Sequence, residues 1–421
     1  MAKKKLLFFS IFIIIILVFV LTIYNIIYKN NNIYLNNKDE APNFISIMLE
    51  ETASSGEYKV SKSNKWPSKG YVFNKEMSYC NNGSTLTWNE NDNSVSVNIN
   101  KTDKCYVYFD IYVPTLVEYV KSQYTGTQGE NGLYYHDSTL ANGAGDNSYR
   151  YAGASDSVNN YICLGSDTTT CPDANLFRII GVFGNQTKVI RAKSVGYQQW
   201  HTSADNTWSS SSLNAYLNGT YLTSLGTIAE KIATTTWKVG GGSGSNISAS
   251  VPATAYKNEV GSSASTTIID KKIGLMYVSD YGFAASPSAW TKILGDYDGT
   301  DANGTSIKTI NWMYMGYNEW TISRHSDNTN SAFFVNSTGN VLGSNVRSDN
   351  GVRPSFNLDS TVTYVSGDGT KSNPIRINWL TDSFEKTPVK PGQNGVKSLT
   401  YVERITSFFV LWCGYNRCKY G

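Results

Sequence analysis

Six cysteines, three histidines and one acidic, glycine-bearing loop are the residues of this 421-residue chain whose types and spacing bear on chemistry. The cysteines fall into local pairs: Cys80 with Cys105, Cys163 with Cys171, and Cys413 with Cys418. None forms Cys-x-x-Cys and no histidine is close in sequence to any pair, so zinc binding and thioredoxin-like redox chemistry fit poorly. In an exported chain an even number of nearby cysteines points to disulfides. Bonds Cys80–Cys105 and Cys163–Cys171 are expected, and the first would close a loop of about 25 residues, worth about 3 to 4 kcal/mol on the chain-entropy model. His136, His201 and His325 each sit in a polar, loop-like stretch and are expected at the surface. His136-Asp137-Ser138 is not a triad, because sequence neighbours seldom meet in the relay geometry that activates a nucleophile. The chain has no phosphate-binding P-loop, no His-Glu-x-x-His and no Gly-x-Ser-x-Gly. No catalytic residue is assigned, and the chain is read as non-enzymatic.

Two further stretches carry binding chemistry. Asp296-Tyr297-Asp298-Gly299-Thr300-Asp301-Ala302-Asn303-Gly304 places Asp296, Asp298, Asp301 and Asn303 on a tightly turning segment, and hard oxygen ligands of this kind suit calcium, the one cofactor the sequence suggests. The loop lacks the Gly and Glu of an EF-hand, and Asp-Gly and Asn-Gly are also common turn dipeptides. Between Trp312 and Asn350, aromatic residues alternate with asparagines. Rings stack on sugar faces or protein side chains, and amides orient a partner by hydrogen bonds. Alternate residues of a strand face opposite ways, so Trp312 and Trp320 are expected in the core, and Tyr317, Asn318, Asn328 and Asn330 are the ligand contacts.

The elements that position these residues follow from periodicity. Leu6 to Ile27 is an apolar run long enough to cross a bilayer, which needs about 20 helical residues. Lys3, Lys4 and Lys5 precede it and no Ala-x-Ala-like site follows, so residues 6–27 are expected to partner the lipid bilayer as an uncleaved anchor. This predicts a single-pass cell-membrane protein with a cytoplasmic N-terminus and an extracellular bulk. The net charge is +3 and no basic block lies beyond the first five residues, so nucleic acid is not an expected partner. Residues 1–29 are the transmembrane anchor, 30–113 a stalk and small β-domain, 114–160 a helix and Gly-rich linker, 161–377 the main domain, and 378–421 a tail of unassigned role. Val95, Val97 and Ile99 alternate as in a half-buried strand. Thr115 to Tyr124 reads as a helix, Leu176 to Ala192 as a hairpin around Gly184-Asn185-Gln186-Thr187, and Ile273 to Ser279 as a strand.

Trp320-Thr321-Ile322-Ser323-Arg324, Ala332-Phe333-Phe334-Val335 and Gly351-Val352-Arg353-Pro354, with Phe177-Arg178-Ile179-Ile180-Gly181 and Trp208 to Asn218 upstream, resemble a family of uncharacterised bacterial surface domains. That family is similar to the C-type-lectin-like fold of formylglycine-generating, sulfatase-modifying enzymes, and the resemblance covers about residues 161–377. It implies an irregular α+β domain with buried late strands and ligand-facing loops. Gly351 would allow a tight approach, Pro354 would fix the chain, and a carboxylate or carbonyls would hold Arg353. Formylglycine-generating enzymes need cysteines late in the domain. None lies between Cys171 and Cys413, so that activity is not expected. The expected fold class is α+β: a single N-terminal transmembrane helix, a small β-rich domain, then a C-type-lectin-like α+β domain. The expected function is binding or adhesion at a bacterial cell surface, toward an extracellular protein or glycan. Two alternatives are a pilus-like structural subunit, although the Gly-Phe-x-x-x-Glu prepilin motif is absent, and an extracellular enzyme acting on glycans or proteins through paired carboxylates.

Overall fold

The computed structural model describes residues 44–378, apart from 68–69, 90–93, 99–102, 243–246, 248 and 261–266. The described residues divide between Tyr112 and Val113 into two compact units. In the first, period-2 patterning makes a four-stranded sheet in the order β2 (Tyr58–Val60), β1 (Phe44–Glu50), β6 (Lys104–Ile111), β3 (Tyr71–Cys80). Strands β1 and β6 run parallel with Ile47 opposite Val107, and these two pack with Phe109 and Val95 against Trp66, Phe73 and Trp88. A separate hairpin joins β4 (Thr85–Asn89) to β5 (Ser94–Asn98), as the alternation at Val95 and Val97 predicts. Cys80 lies directly opposite Cys105 in the β3–β6 ladder, and the two are joined in a disulfide.

The second unit begins with helix α1 (Leu116–Ser122), whose capping box pairs the Thr115 hydroxyl with the Glu118 amide and the Glu118 carboxylate with the Thr115 amide. The segment 114–160, with the composition of a helix and linker, is part of this unit. Its strands β7 (Leu133–His136) and β8 (Ser148–Tyr151) form a hairpin, and β8 pairs with β10 (Leu176–Phe183). Strand β10 runs against β9 (Tyr161–Cys163) and β11 (Gln186–Arg191), so the hairpin expected around Gly184 is present. The Cys163–Cys171 disulfide closes the loop after β9. Arg376 donates hydrogen bonds to the Ser166, Thr168 and Thr169 carbonyls of that loop.

A second sheet runs in the order β12 (Tyr197–Gln199), β20 (Asp349–Gly351), β17 (Glu319–His325), β18 (Ser331–Val335), β19 (Val341–Asn345), with β14 (Gly241–Gly242) also beside β17. A two-stranded ribbon pairs β13 (Thr235–Val239) with β15 (Thr267–Lys271), and the short β16 (Ile273–Gly274) is an end strand of the first sheet. Strand β21 (Ser355–Leu358) joins the first sheet beside β11. Helices α2 (Ser212–Tyr216), α3 (Pro252–Glu259) and α4 (Val278–Phe283) are short, the longest of them having eight residues.

These observations correct the fold class. The described chain is predominantly β-sheet with a few short helices, not the expected α+β C-type-lectin-like domain. Among the described residues no helix is long and apolar enough to cross a membrane, and the expected span 6–27 lies outside them. The strand expected over Ile273 to Ser279 is only a two-residue bridge, Ile273–Gly274, followed by helix α4. The apolar run there is buried all round, and a short apolar run does not distinguish a buried strand from a buried helix.

One glycine is required by the meeting of hairpin and sheet. A Cβ on Gly181 would stand 2.2 Å from the Tyr149 carbonyl oxygen and 3.1 Å from the Arg150 Cα, both of them backbone atoms. Gly181→Ala should therefore push β8 off β10 and cost about 1 to 3 kcal/mol, as overpacking typically does. Gly219→Ala meets no atom within 4 Å and serves as the control. Thermal unfolding checks this: the first variant should melt several degrees below the second, and equal midpoints would contradict the packing described.

Candidate functional site

The strongest concentration of chemistry in the second unit surrounds Lys188. Strand β11 carries Thr187-Lys188-Val189-Ile190, buried on both faces, so the Lys188 cation must find partners inside the protein. A bulge between Ile179 and Gly181 sets Lys188 opposite Gly181 in the β10–β11 ladder. The Lys188 Nζ meets Asp280 Oδ2 at 2.5 Å, and the other oxygen of Asp280 lies 3.7 Å from Arg150 Nη1. Arg150, from β8, also pairs with Asp146 at 2.7 Å and donates through Nε to the Ser148 hydroxyl. Asp280 is held by its own helix start, its Oδ2 accepting the Tyr277 amide at 2.9 Å.

Aromatic rings enclose this cluster. Lys188 Nζ lies 4.4 Å from the Tyr277 ring centroid and 5.4 Å from that of Trp237, and the Arg150 guanidinium lies 4.6 Å from Phe183 and 5.1 Å from Tyr256. Such contacts retain attraction for a cation where water is excluded. Behind them Glu259, the last residue of α3, accepts hydrogen bonds from the Val278 and Ser279 amides at 2.8 and 2.9 Å and from the Ser323 hydroxyl. Burial pushes the Glu259 carboxyl above its ordinary value, against the hydrogen bonds it receives. Burial likewise draws the Lys188 ammonium below its ordinary value, against the opposing pull of Asp280. At Asp146 burial acts upward, but Arg150 and the Ser148 hydrogen bonds prevail and hold the carboxyl at about 2.

Above this cluster opens a cavity of about 260 Å³ walled by Phe183, Trp237, Tyr256 and Tyr277. Asn357 of β21 lines it, donating through Nδ2 to the Thr235 hydroxyl at 3.0 Å while its buried Oδ1 has no hydrogen-bond partner among the described residues. Trp237 stands at the base, its Nε1 held by the Lys271 carbonyl, and Lys238 at the side, its Nζ held by the Val260 carbonyl.

The residues singled out from sequence are placed elsewhere. Tyr317 and Asn318 precede β17, and Asn328 and Asn330 follow it, so a seven-residue strand separates the two pairs by roughly 20 Å. The structure does not bring them into one site. The Tyr317 ring covers Gly351, Asn318 Oδ1 accepts the Ser337 amide, and Asn328 Oδ1 accepts the Asn330 amide. Trp312 and Trp320 are buried. In the acidic loop Asp301 Oδ1 accepts the Asn303 and Thr305 amides, which makes it a turn-forming residue. Among the described residues the group of metal-ligand type is Cys80, Asp103 and Cys105, in which the two sulfurs are bonded to each other, and the carboxylates of Asp296, Asp298 and Asp301 gather into no such group.

The histidines depart furthest from expectation. His136 is fully buried between the Phe283 and Trp290 rings, His201 is buried, and the His325 ring stacks on Phe333. Their local sequence is polar, but the rings that cover His136 come from distant segments. Lys188, Arg150 and Asp280 were not anticipated either. Their signal was present as single charges inside otherwise apolar runs, Val-Ile after Lys188 and Tyr-Gly-Phe after Asp280.

A family model described as a domain of unknown function (DUF6273) matches residues 184–360. Lys188, Trp237, Tyr256, Glu259, Tyr277, Asp280 and Asn357 fall inside that match, whereas Asp146, Arg150 and Phe183 precede it. No curated protein and no solved structure matches the chain.

Burial and, second, the nearby Arg150 charge depress His136 from 6.5 to about 3, against the weaker pull of Asp146. The folded protein thus holds a neutral imidazole, while the unfolded chain protonates near the ordinary value. Stability from this site is complete above pH 6.5 and is lost as pH falls from there toward 3. The melting temperature should drop between about pH 7 and about pH 4.5, and His136→Leu should flatten that dependence. Parallel pH profiles for the two proteins would remove His136 as the cause.

Proposed function

We propose that this chain is an extracytoplasmic binding protein without catalytic activity, and that the second unit takes a saccharide residue of a glycan in the cavity above Lys188. The observation that carries this reading is the pairing of aromatic walls with a buried, unpartnered acceptor, Asn357 Oδ1. Ligand pockets are mostly apolar with a few polar groups that fix orientation. The face of a sugar ring suits Tyr256 and Tyr277, and a sugar hydroxyl would donate to Asn357 Oδ1, whose lack of a partner otherwise costs about 1 to 3 kcal/mol. A cavity of about 260 Å³ suits one such ring rather than an extended peptide. The charged residues beneath are directed at one another, Lys188 at Asp280 and Arg150 at Asp146, which favours binding over acid–base work. The two disulfides support a location outside the reducing cytoplasm.

A glycan array probed with the full-length chain tests this. Binding is expected to a restricted set of saccharides, falling at least about tenfold in Tyr256→Ala, a loss of about 1.4 kcal/mol. Thr236→Ala, at the cavity rim, should weaken binding less, and replacement of Tyr317, Asn318, Asn328 and Asn330 by Ala should leave it unchanged. Saccharide binding that survives Tyr256→Ala at full strength but fails in the quadruple variant would move the site to the β17 ends. Absence of any saccharide binding by folded protein would reject the glycan assignment.

A further inference from the structure

We propose that Lys188 and Asp280 join covalently, through an amide between Lys188 Nζ and Asp280 Cγ that closes the second unit from strand β11 to the start of helix α4. The two side chains are 92 residues apart in sequence and nearly inaccessible to water, with Nζ and Oδ2 in contact at 2.5 Å. An amine touching a carboxyl oxygen at that distance has the carboxyl carbon within the roughly 3 to 3.5 Å of a near-attack arrangement, where orientation replaces collision. The fold holds both partners still: Lys188 by its ladder position opposite Gly181, Asp280 by the Tyr277 amide.

The surroundings favour the reaction over a lasting ion pair. Keeping two opposite charges away from water costs several kcal/mol per ion, and a neutral amide removes both charges. Within the pair, a proton passes from the ammonium to the carboxylate, giving a free amine and a carboxylic acid. Nζ then attacks Cγ, the new C–N bond forms, the C–OH bond breaks, and one nitrogen-bound hydrogen leaves with the hydroxyl as water. No oxidant, reductant or activated group is needed. Arg150 Nη1, 3.7 Å from Asp280 Oδ1, is placed to steady the oxyanion that develops on that oxygen. Glu259 is fully buried behind the pair. Its carboxyl is anchored on the Val278 and Ser279 amides, immediately before Asp280. The rings of Phe183, Trp237 and Tyr277 around Nζ restrict the return of water that hydrolysis requires. Such a bond would restrict the unfolded chain over a long loop, as a disulfide does, without depending on redox conditions.

Mass spectrometry of the intact, reduced full-length protein under denaturing conditions decides the matter. The expected mass lies one water below that of the sequence. A tryptic digest should contain a branched species linking the Lys188 and Asp280 peptides, with no cleavage after Lys188. Lys188→Arg keeps the positive charge but cannot form the bond, and should have the full sequence mass and a lower melting temperature. A folded parent protein at full sequence mass, cleaved by trypsin after Lys188, would overturn the proposal and leave an ion pair.

Discussion

Burying Lys188 and Arg150 is the constraint around which the second unit is arranged. Each cation removed from water carries a penalty of several kcal/mol unless an opposite charge and hydrogen bonds compensate it. The compensation comes from Asp280 and Asp146, which are remote from Lys188 in sequence. Satisfying Lys188 therefore fixes helix α4 against strand β11, and satisfying Arg150 fixes the β7–β8 hairpin against both. Glu259 extends the same cluster, since it caps the first amides of α4 from the end of α3. The aromatic walls of the cavity are the other half of this arrangement, because the rings that line it are those that surround the cations.

Two more buried guanidinium groups pin the rest of the unit in the same way. Arg353 forms a two-point contact with Glu319 and also donates to the Met313 carbonyl at 2.8 Å, tying the start of β17 to the approach of β21. Arg178 on β10 donates to Asn160, Ser155 and Val158 while the Trp312 ring lies 4.7 Å away. Truncating either would leave buried acceptors unpaired, which is costlier than losing one hydrogen bond. These arginines hold the two sheets of the unit in one core that contains Phe177, Trp320 and Phe356.

Local chemistry was legible in the sequence wherever the partners were close along the chain or repeated at a fixed period. Cys163 and Cys171 could be paired by inspection, and the Cys80–Cys105 bond agrees with strands that alternation had already marked. The helix after Thr115 and the hairpin at Gly184 were of the same kind, whereas the carboxylate and carbonyl on Arg353 come from Glu319 and Met313, far along the chain, and were expected only from the family resemblance. The segment from 126 to 153 defeated that approach, because its glycines suggest a linker while its two strands pair with each other as a hairpin and β8 also joins β10. The asparagines near β17 show the complementary case. The Asn328 side chain accepts the Asn330 backbone amide of its own turn and the Asn318 side chain accepts that of Ser337, a need that looks in sequence like readiness to bind a ligand.

What the sequence by itself determined was therefore short-range: strand alternation, one short helix, turn chemistry and the pairing of neighbouring cysteines. Each is a matter of bonds made within one element or between adjacent ones. The tertiary structure alone decided that His136 is a core residue, that the acidic loop is a turn, and that Lys188, Arg150 and Asp280 share one buried site beneath an aromatic cavity. The reason is that burial and charge compensation depend on which distant segments come together. Single residues along a chain do not carry that information, whereas the energy of an ion in a low-dielectric interior is set almost entirely by it.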